Sequence, residues 1–202
     1  MVVSEKKPKR IVLASANVGK LREFQRLLSL QGFDIVEQSE FNVPDVEETG
    51  LTFVENAIIK ARNAAKVTGL PALADDSGIE VDVLQGQPGI YSARYADGLG
   101  DDANNQKLLA ALKGVPDEQR TARFCCCIIY MCHAKDPSPL VAYARWEGRI
   151  LHDLEGENGF GYDPLFYVPT HGCSSAELEP AEKNRISHRG LALEKLLKLL
   201  NC

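Results

Sequence analysis

The stretch Arg10-Ile11-Val12-Leu13-Ala14-Ser15-Ala16-Asn17-Val18-Gly19-Lys20-Leu21 decides the fold. Residues 10–14 form a short apolar run, which reads as a buried strand. A polar turn follows, and then Leu21, Phe24 and Leu28 recur at helical spacing up to a stop near Gly32. Working outward, residues 33–37 read as a second strand. Thr52-Phe53-Val54-Glu55 has capping-box spacing and opens a helix to about residue 67, with Ala57, Ile58, Ala61, Ala64 and Ala65 on its apolar face. Residues 71–74 and 79–84 are predicted as two short strands around Asp75-Asp76-Ser77-Gly78, and residues 102–112 as a helix.

The second half is richer in strand. Residues 121–133 and 140–147 read as long strands joined through the turn-like Lys135-Asp136-Pro137-Ser138-Pro139, and residues 165–168 as a shorter one. A last helix over residues 187–200 carries Leu191, Leu196, Leu197 and Leu200. Helices bracketing several strands predict an α/β domain with a mixed sheet. With 202 residues, 45% hydrophobic and 25% charged, a single domain over residues 1–202 is expected, burying roughly 70% of its unfolded surface. The basic run Glu5-Lys6-Lys7-Pro8-Lys9-Arg10 lacks an apolar segment behind it, so residues 1–9 read as a solvated leader.

A net charge of −5 argues against a nucleic-acid polymer as partner, but not against a small anion held by a few local cations. No run approaches the roughly 18 apolar residues of a membrane span, so no membrane partner is expected and the cytoplasm is the default. Cys125, Cys126 and Cys127 are consecutive in an apolar run; alternate residues of a strand face opposite ways, so the triplet cannot converge on a metal. Buried thiols acting as small hydrophobes fit a reducing compartment.

Six segments can carry chemistry. Ser15-Ala16-Asn17-Val18-Gly19-Lys20 lies at a strand-to-helix turn, where free N–H groups and the helix dipole suit a phosphate; helix capping by Asn17 with a solvated Lys20 is the plainer reading of the segment alone. Glu47-Glu48-Thr49-Gly50 and Asp75-Asp76-Ser77-Gly78 are carboxylate-rich without histidine, which suits a hard cation such as Mg²⁺, although Asp-Asp-Ser-Gly is also a good turn. Asn56, Lys60 and Asn63 form a polar stripe on one helix face, either solvated or turned to a cleft. Phe160-Gly161-Tyr162-Asp163-Pro164 offers aromatics that can stack on a base or pack a turn. In Ser187-His188-Arg189-Gly190, Ser187 reads as an N-cap, and two potential cations in a first helical turn oppose the dipole, which favours a binding role.

These motifs, together with Pro88-Gly89-Ile90-Tyr91-Ser92-Ala93-Arg94-Tyr95, stand in the order found in the inosine/xanthosine triphosphate pyrophosphatases, and over residues 10 to 200 the chain resembles that family. The resemblance is nearest to the bacterial dITP/XTP branch. It implies an elongated α/β fold with a mixed sheet, two lobes, a central active-site cleft and a homodimer. The implied reaction cleaves ITP, dITP or XTP to the monophosphate and pyrophosphate. Carried onto this chain, Ser15, Ala16, Asn17, Val18, Gly19 and Lys20 hold the triphosphate, with Lys60 and Asn56. Asp76 is the implied general base and a Mg²⁺ ligand, and Glu47 the other metal carboxylate, with its neighbour Glu48 as the alternative. Ser77 touches substrate. Phe160 stacks on the base, Gly161, Tyr162 and Asp163 complete that wall, and Lys183, His188 and Arg189 read the keto edge. A pyrimidine-triphosphate pyrophosphatase and a non-catalytic nucleotide sensor are the rival readings.

Overall fold

The computed structural model describes residues 9–15, 17–29 and 32–200. Strand β1 (Lys9–Leu13) leads into helix α1 (Val18–Ser29) and the chain returns as β2 (Phe33–Glu37). β1 and β2 are parallel, with Lys9 opposite Phe33 and Leu13 opposite Glu37. Parallel neighbours need a crossover between them, and α1 supplies it. Ile11, Val12 and Leu13 are all fully buried, as a strand covered on both faces must be, and so are Phe24 and Leu28 on the inner stripe of α1. Lys9 already pairs in β1, so the expected leader is shorter by one residue; residues 1–8 lie outside those described.

Helix α2 (Phe53–Thr68) presents Ala57, Ala61 and Ala64 at 4- and 3-residue spacing, each fully buried. The two short strands expected after it are one, β3 (Ala72–Val81). Asp-Asp-Ser-Gly favours turns only where water can take its side chains. Here Asp75 and Asp76 are buried and the extended backbone runs straight through them. β3 pairs parallel with β1, Val12 opposite Ala72 and Leu13 opposite Leu73.

Helix α3 (Asp101–Ala111) precedes β4 (Thr121–Met131) and β5 (Leu140–Ile150); then follow β6 (Phe166–Val168), β7 (Cys173–Ser174), α4 (Pro180–Ile186) and α5 (His188–Leu200). The seven strands form one sheet in the order β2-β1-β3-β4-β5-β6-β7. It is mixed, since β1 is parallel to its neighbours whereas β5/β6 and β6/β7 are antiparallel. An α/β fold with helices flanking a mixed sheet is the predicted class. Cys125, Cys126 and Cys127 are fully buried on β4, and burial pushes the Cys125 thiol up to about 11, which keeps it an inert hydrophobe.

The C-terminal helix expected over residues 187–200 is α5, and the shorter α4, which was not predicted, precedes it. Ser187 is extended between α4 and α5, and its Oγ accepts a hydrogen bond from the Gly190 N–H at 3.3 Å, the predicted N-cap. α4 starts on Pro180, whose fixed φ suits a first helical position. The carbonyl oxygen of Asn184 sits where a Cβ of residue 190 would be, so glycine alone fits there.

Contacts divide the chain into two compact units: Met1–Gly50, Val54–Asp75 and Ile128–Val141 in the first, Leu51–Phe53, Asp76–Cys127 and Ala142–Cys202 in the second. The core of the second unit is built on Ile79, Leu108, Phe124, Trp146, Leu165 and Phe166, with the Phe124 and Phe166 ring centroids 4.7 Å apart. Among the described residues no helix is long and apolar enough to cross a membrane.

Candidate functional site

In the first unit the turn after β1 is organised by its own side chains. Asn17 Oδ1 accepts from the Lys20 N–H at 3.0 Å, and Ser15 Oγ accepts from the Asn17 N–H at 3.2 Å. Asn17 is therefore an N-cap, but the lysine of that reading is not solvated. Capping uses one of the unpaired donors at the start of α1; the others and the positive dipole end remain suited to an anion. Ala16 lies outside the described residues, and of Val18 only the backbone is described. Lys20 Nζ is 2.8 Å from Asp75 Oδ2, with side chains 16% and 0% exposed.

The polar stripe of α2 is not a solvated face. Asn63 Nδ2 donates to the Pro44 carbonyl at 2.8 Å, and the Gly50 N–H donates to Asn56 Oδ1 at 2.9 Å. Between those two tethers, Lys60 Nζ pairs with Glu48 at 2.8 Å. Three residues of one helix face thus hold the acidic segment 44–50 at both ends and in the middle. Asn56 is fully buried, and its Oδ1 serves the loop backbone.

These elements enclose a pocket of about 290 Å³ that includes Ser15, Asn17, Lys20, Glu48, Lys60 and Asp75 in its lining. That volume is at the small end for ligand pockets. Its charged lining is Lys20 and Lys60 against Asp45, Glu48 and Asp75. Two cations against three carboxylates would repel a polyphosphate unless a cation accompanied it. The donors are oxygens, the set a hard divalent ion takes. Among the described residues no group of three or more His, Cys, Asp or Glu could enclose a metal. An ion here would keep waters or take phosphate oxygens, as Mg²⁺ does. Glu47 is exposed and is not part of the lining, whereas its neighbour Glu48 is.

The second unit gathers the rest. Phe160 is 38% exposed, with Lys183 Nζ 5.2 Å and the Arg189 guanidinium 5.8 Å from its ring centroid. Lys183 Nζ pairs with Asp163 Oδ2 at 2.5 Å, and Arg189 Nη2 donates to Ser77 Oγ at 3.3 Å. Asp163 also accepts from the Phe160 N–H at 2.8 Å and from Ser175 Oγ at 2.9 Å. Tyr162 is buried, its hydroxyl donates to the Ser92 carbonyl at 2.8 Å, and burial pushes its ionisation well up, so it stays a neutral donor. Tyr162 and Asp163 are internal braces of the loop that carries Phe160. His188 lies flat on Phe124, centroids 4.7 Å apart and planes 10° apart, so the aromatic core occupies one face of its ring.

Ser15, Asn17, Lys20, Lys60 and Glu48 are thus brought together in one unit; Ser77, Phe160, Gly161, Asp163, Lys183 and Arg189 in the other. Asp76, buried, opens the second unit directly after Asp75 closes the first. Sequence reasoning missed the pairing of Asp75 with Lys20 and the tethering role of Asn63. The i, i+4, i+7 spacing of Asn56, Lys60 and Asn63 was the available signal.

Fold and site define an α/β protein with an oxygen-lined, lysine-bearing pocket and an aromatic–cation cluster. Residues 11–199 match the model of the Ham1 family, and the chain belongs to that family. It is 61% identical over 194 residues to a dITP/XTP pyrophosphatase of Vibrio parahaemolyticus, covering 96% of this chain and 97% of that protein. A dITP/XTP pyrophosphatase of Thioalkalivibrio sulfidiphilus is 60% identical over 192 residues, covering 95% and 98%. Among solved structures, a HAM1 protein from Coxiella burnetii superposes with a TM-score of 0.90 at 54% identity, covering 95% of this chain and 98% of that one. The Staphylococcus aureus Ham1 protein gives 0.86 at 42% identity, covering 96% and 98%.

Proposed function

We propose that this protein hydrolyses the non-canonical purine nucleoside triphosphates ITP, dITP and XTP to the nucleoside monophosphate and pyrophosphate, removing them from the nucleotide pool. The observation that carries this is the lysine-bearing, oxygen-lined pocket in a chain 61% identical to a dITP/XTP pyrophosphatase over nearly its whole length.

In this reading Lys20, Lys60, Ser15 and the donors at the start of α1 hold the triphosphate. Asp76 takes the proton of the water that attacks the α-phosphorus, and pyrophosphate is the leaving group. Glu48 and Asp76 are the carboxylates we assign to Mg²⁺, with Glu48 preferred to Glu47 because it lines the pocket. The ion, when bound, neutralises phosphate charge and lowers the pKa of a coordinated water. Phe160 stacks on the base. Lys183 and Arg189, beside that ring, donate to a 6-keto oxygen; a 6-amino group would leave those donors unpaired, which disfavours adenine. The working form is a homodimer in the cytoplasm, where buried thiols such as Cys125 stay reduced.

Pyrophosphate release from ITP, XTP, dITP, GTP and ATP by the purified protein with Mg²⁺ tests the reading. Release from the first three well above the last two is expected. Equal rates on all five overturn the specificity, and no release with retained nucleotide binding supports a sensor.

A further inference from the structure

Both backbone polar groups of Gly161, its N–H and its carbonyl, are gripped by one helix. Asp101 Oδ2 accepts from the Gly161 N–H at 2.7 Å, and Asn105 Nδ2 donates to the Gly161 carbonyl at 3.0 Å. Asp101 and Asn105 are one helical turn apart on α3, so both side chains reach the same spot. They are 60 and 56 residues from Gly161 in sequence.

Asn105 is 3% exposed. Asparagine is a mediocre helix former, and burying an amide is unfavourable unless it bonds, so a core position on α3 is better filled by an apolar residue. What Asn105 gains there is the Gly161 carbonyl. The segment it holds needs holding. Phe160 stands between Gly159 and Gly161, both at positive φ (82° and 63°), and a ring flanked by two glycines is otherwise conformationally loose. The Phe160 N–H is fixed locally by Asp163, and Tyr162 by Ser92; the clamp from α3 fixes the peptide between them.

We propose that Asp101 and Asn105 are positioning residues that hold the Phe160 ring as a preformed platform for the purine base, so that substrate affinity depends on them and the chemical step does not. The inference rests on the function proposed above. A preformed platform spares the substrate the entropy of ordering the loop.

The experiment uses the full-length protein with ITP and Mg²⁺. Asn105→Ala and Asp101→Ala should each raise KM roughly 5-fold or more, the lower end of what base stacking supplies, with kcat within about twofold. Asp101→Asn keeps an accepting oxygen and should restore a KM near that of the unmodified enzyme. In a Phe160→Ala background there is no ring to place, and Asn105→Ala should then add nothing to KM. Inhibition by inorganic tripolyphosphate should not change. Independently of turnover, Asn105→Ala in a Phe160→Trp protein should red-shift the indole emission and lower its anisotropy. A fall in kcat at constant KM, a KM effect that persists without the Phe160 ring, or an unmoved indole signal overturns the proposal. Absence of pyrophosphate release by the unmodified enzyme overturns the proposed function instead, with the indole signal still deciding whether the clamp holds the ring.

Discussion

Lys20 Nζ lies 2.8 Å from Oδ2 of Asp75, a carboxylate with no exposed side-chain surface. Removing one member of a buried pair leaves the other charge poorly compensated. Asp75→Ala should therefore destabilise the protein by about 3 kcal/mol, read as a lower urea midpoint. Asp75→Asn, which keeps an accepting oxygen, should lose less. Both should raise the KM for ITP, because the lysine loses the partner that aims it into the pocket.

Asp76 follows Asp75 directly and is given a different task. Asp76→Asn is nearly isosteric but takes up no proton, so turnover should fall by roughly 100-fold or more. Nucleotide affinity, measured by equilibrium binding, should stay within a few-fold. Retained turnover would remove Asp76 from the role of base.

The tether from Asn63 to the Pro44 carbonyl acts on Glu48 at a distance. Loss of one such hydrogen bond in Asn63→Ala should lower stability by only about 1 kcal/mol. The larger effect should appear in the Mg²⁺ concentration needed for half-maximal activity, which should rise several-fold as segment 44–50 loosens. An unchanged Mg²⁺ requirement would show that Lys60 alone fixes Glu48.

Gly190 offers a test in the second unit. A Cβ there collides with the Asn184 carbonyl oxygen, and overpacking of this kind typically destabilises by about 1–3 kcal/mol. Gly190→Ala should lower Tm and, by shifting the start of α5, disturb Arg189 beside Phe160. Calorimetry and the KM for ITP measure the two consequences separately.

The acid limb of stability should carry a signature of Glu182. Its carboxyl is held down to about 2 from an ordinary 4.5, chiefly by hydrogen bonds from Arg185 and then His171. A depressed folded-state pKa means that the contribution is complete above about 4.5 and is lost as pH falls toward 2. Glu182→Gln should flatten the pH dependence of the urea midpoint within that window, lowering the midpoint slightly at neutral pH and leaving it nearly unchanged near pH 2.

Much of this architecture is legible along the chain, because β1, α1 and α2 declare themselves through local periodicity, and the order of six short motifs points to a nucleotide site. The illegible parts are those that distance decides. Asp75-Asp76-Ser77-Gly78 has turn chemistry, yet burial and the partner Lys20, 55 residues away, draw it into β3. Asn63 looks like a solvated stripe residue until Pro44 is seen beside it. Tyr162 and Asp163 carry the chemistry of a binding wall, but Ser92, Ser175 and Lys183 claim them for the interior. The α4/α5 break depends on a carbonyl filling the space beside Gly190, which no periodicity encodes.

β3 places its two carboxylates by alternation, one to each face, and its register against β1 is set by Val12 opposite Ala72 and Leu13 opposite Leu73. One peptide bond therefore separates the partner of the lysine assigned to phosphate from the residue assigned to activate water. Inserting a single residue between Ala72 and Asp75 would turn both to the opposite face, moving Asp75 into the place of Asp76 and Asp76 into that of Ser77, while leaving composition and hydrophobicity almost intact. Across this stretch the protein should tolerate changes of letter far better than changes of length, and libraries carrying single-codon insertions should show a sharp gap there.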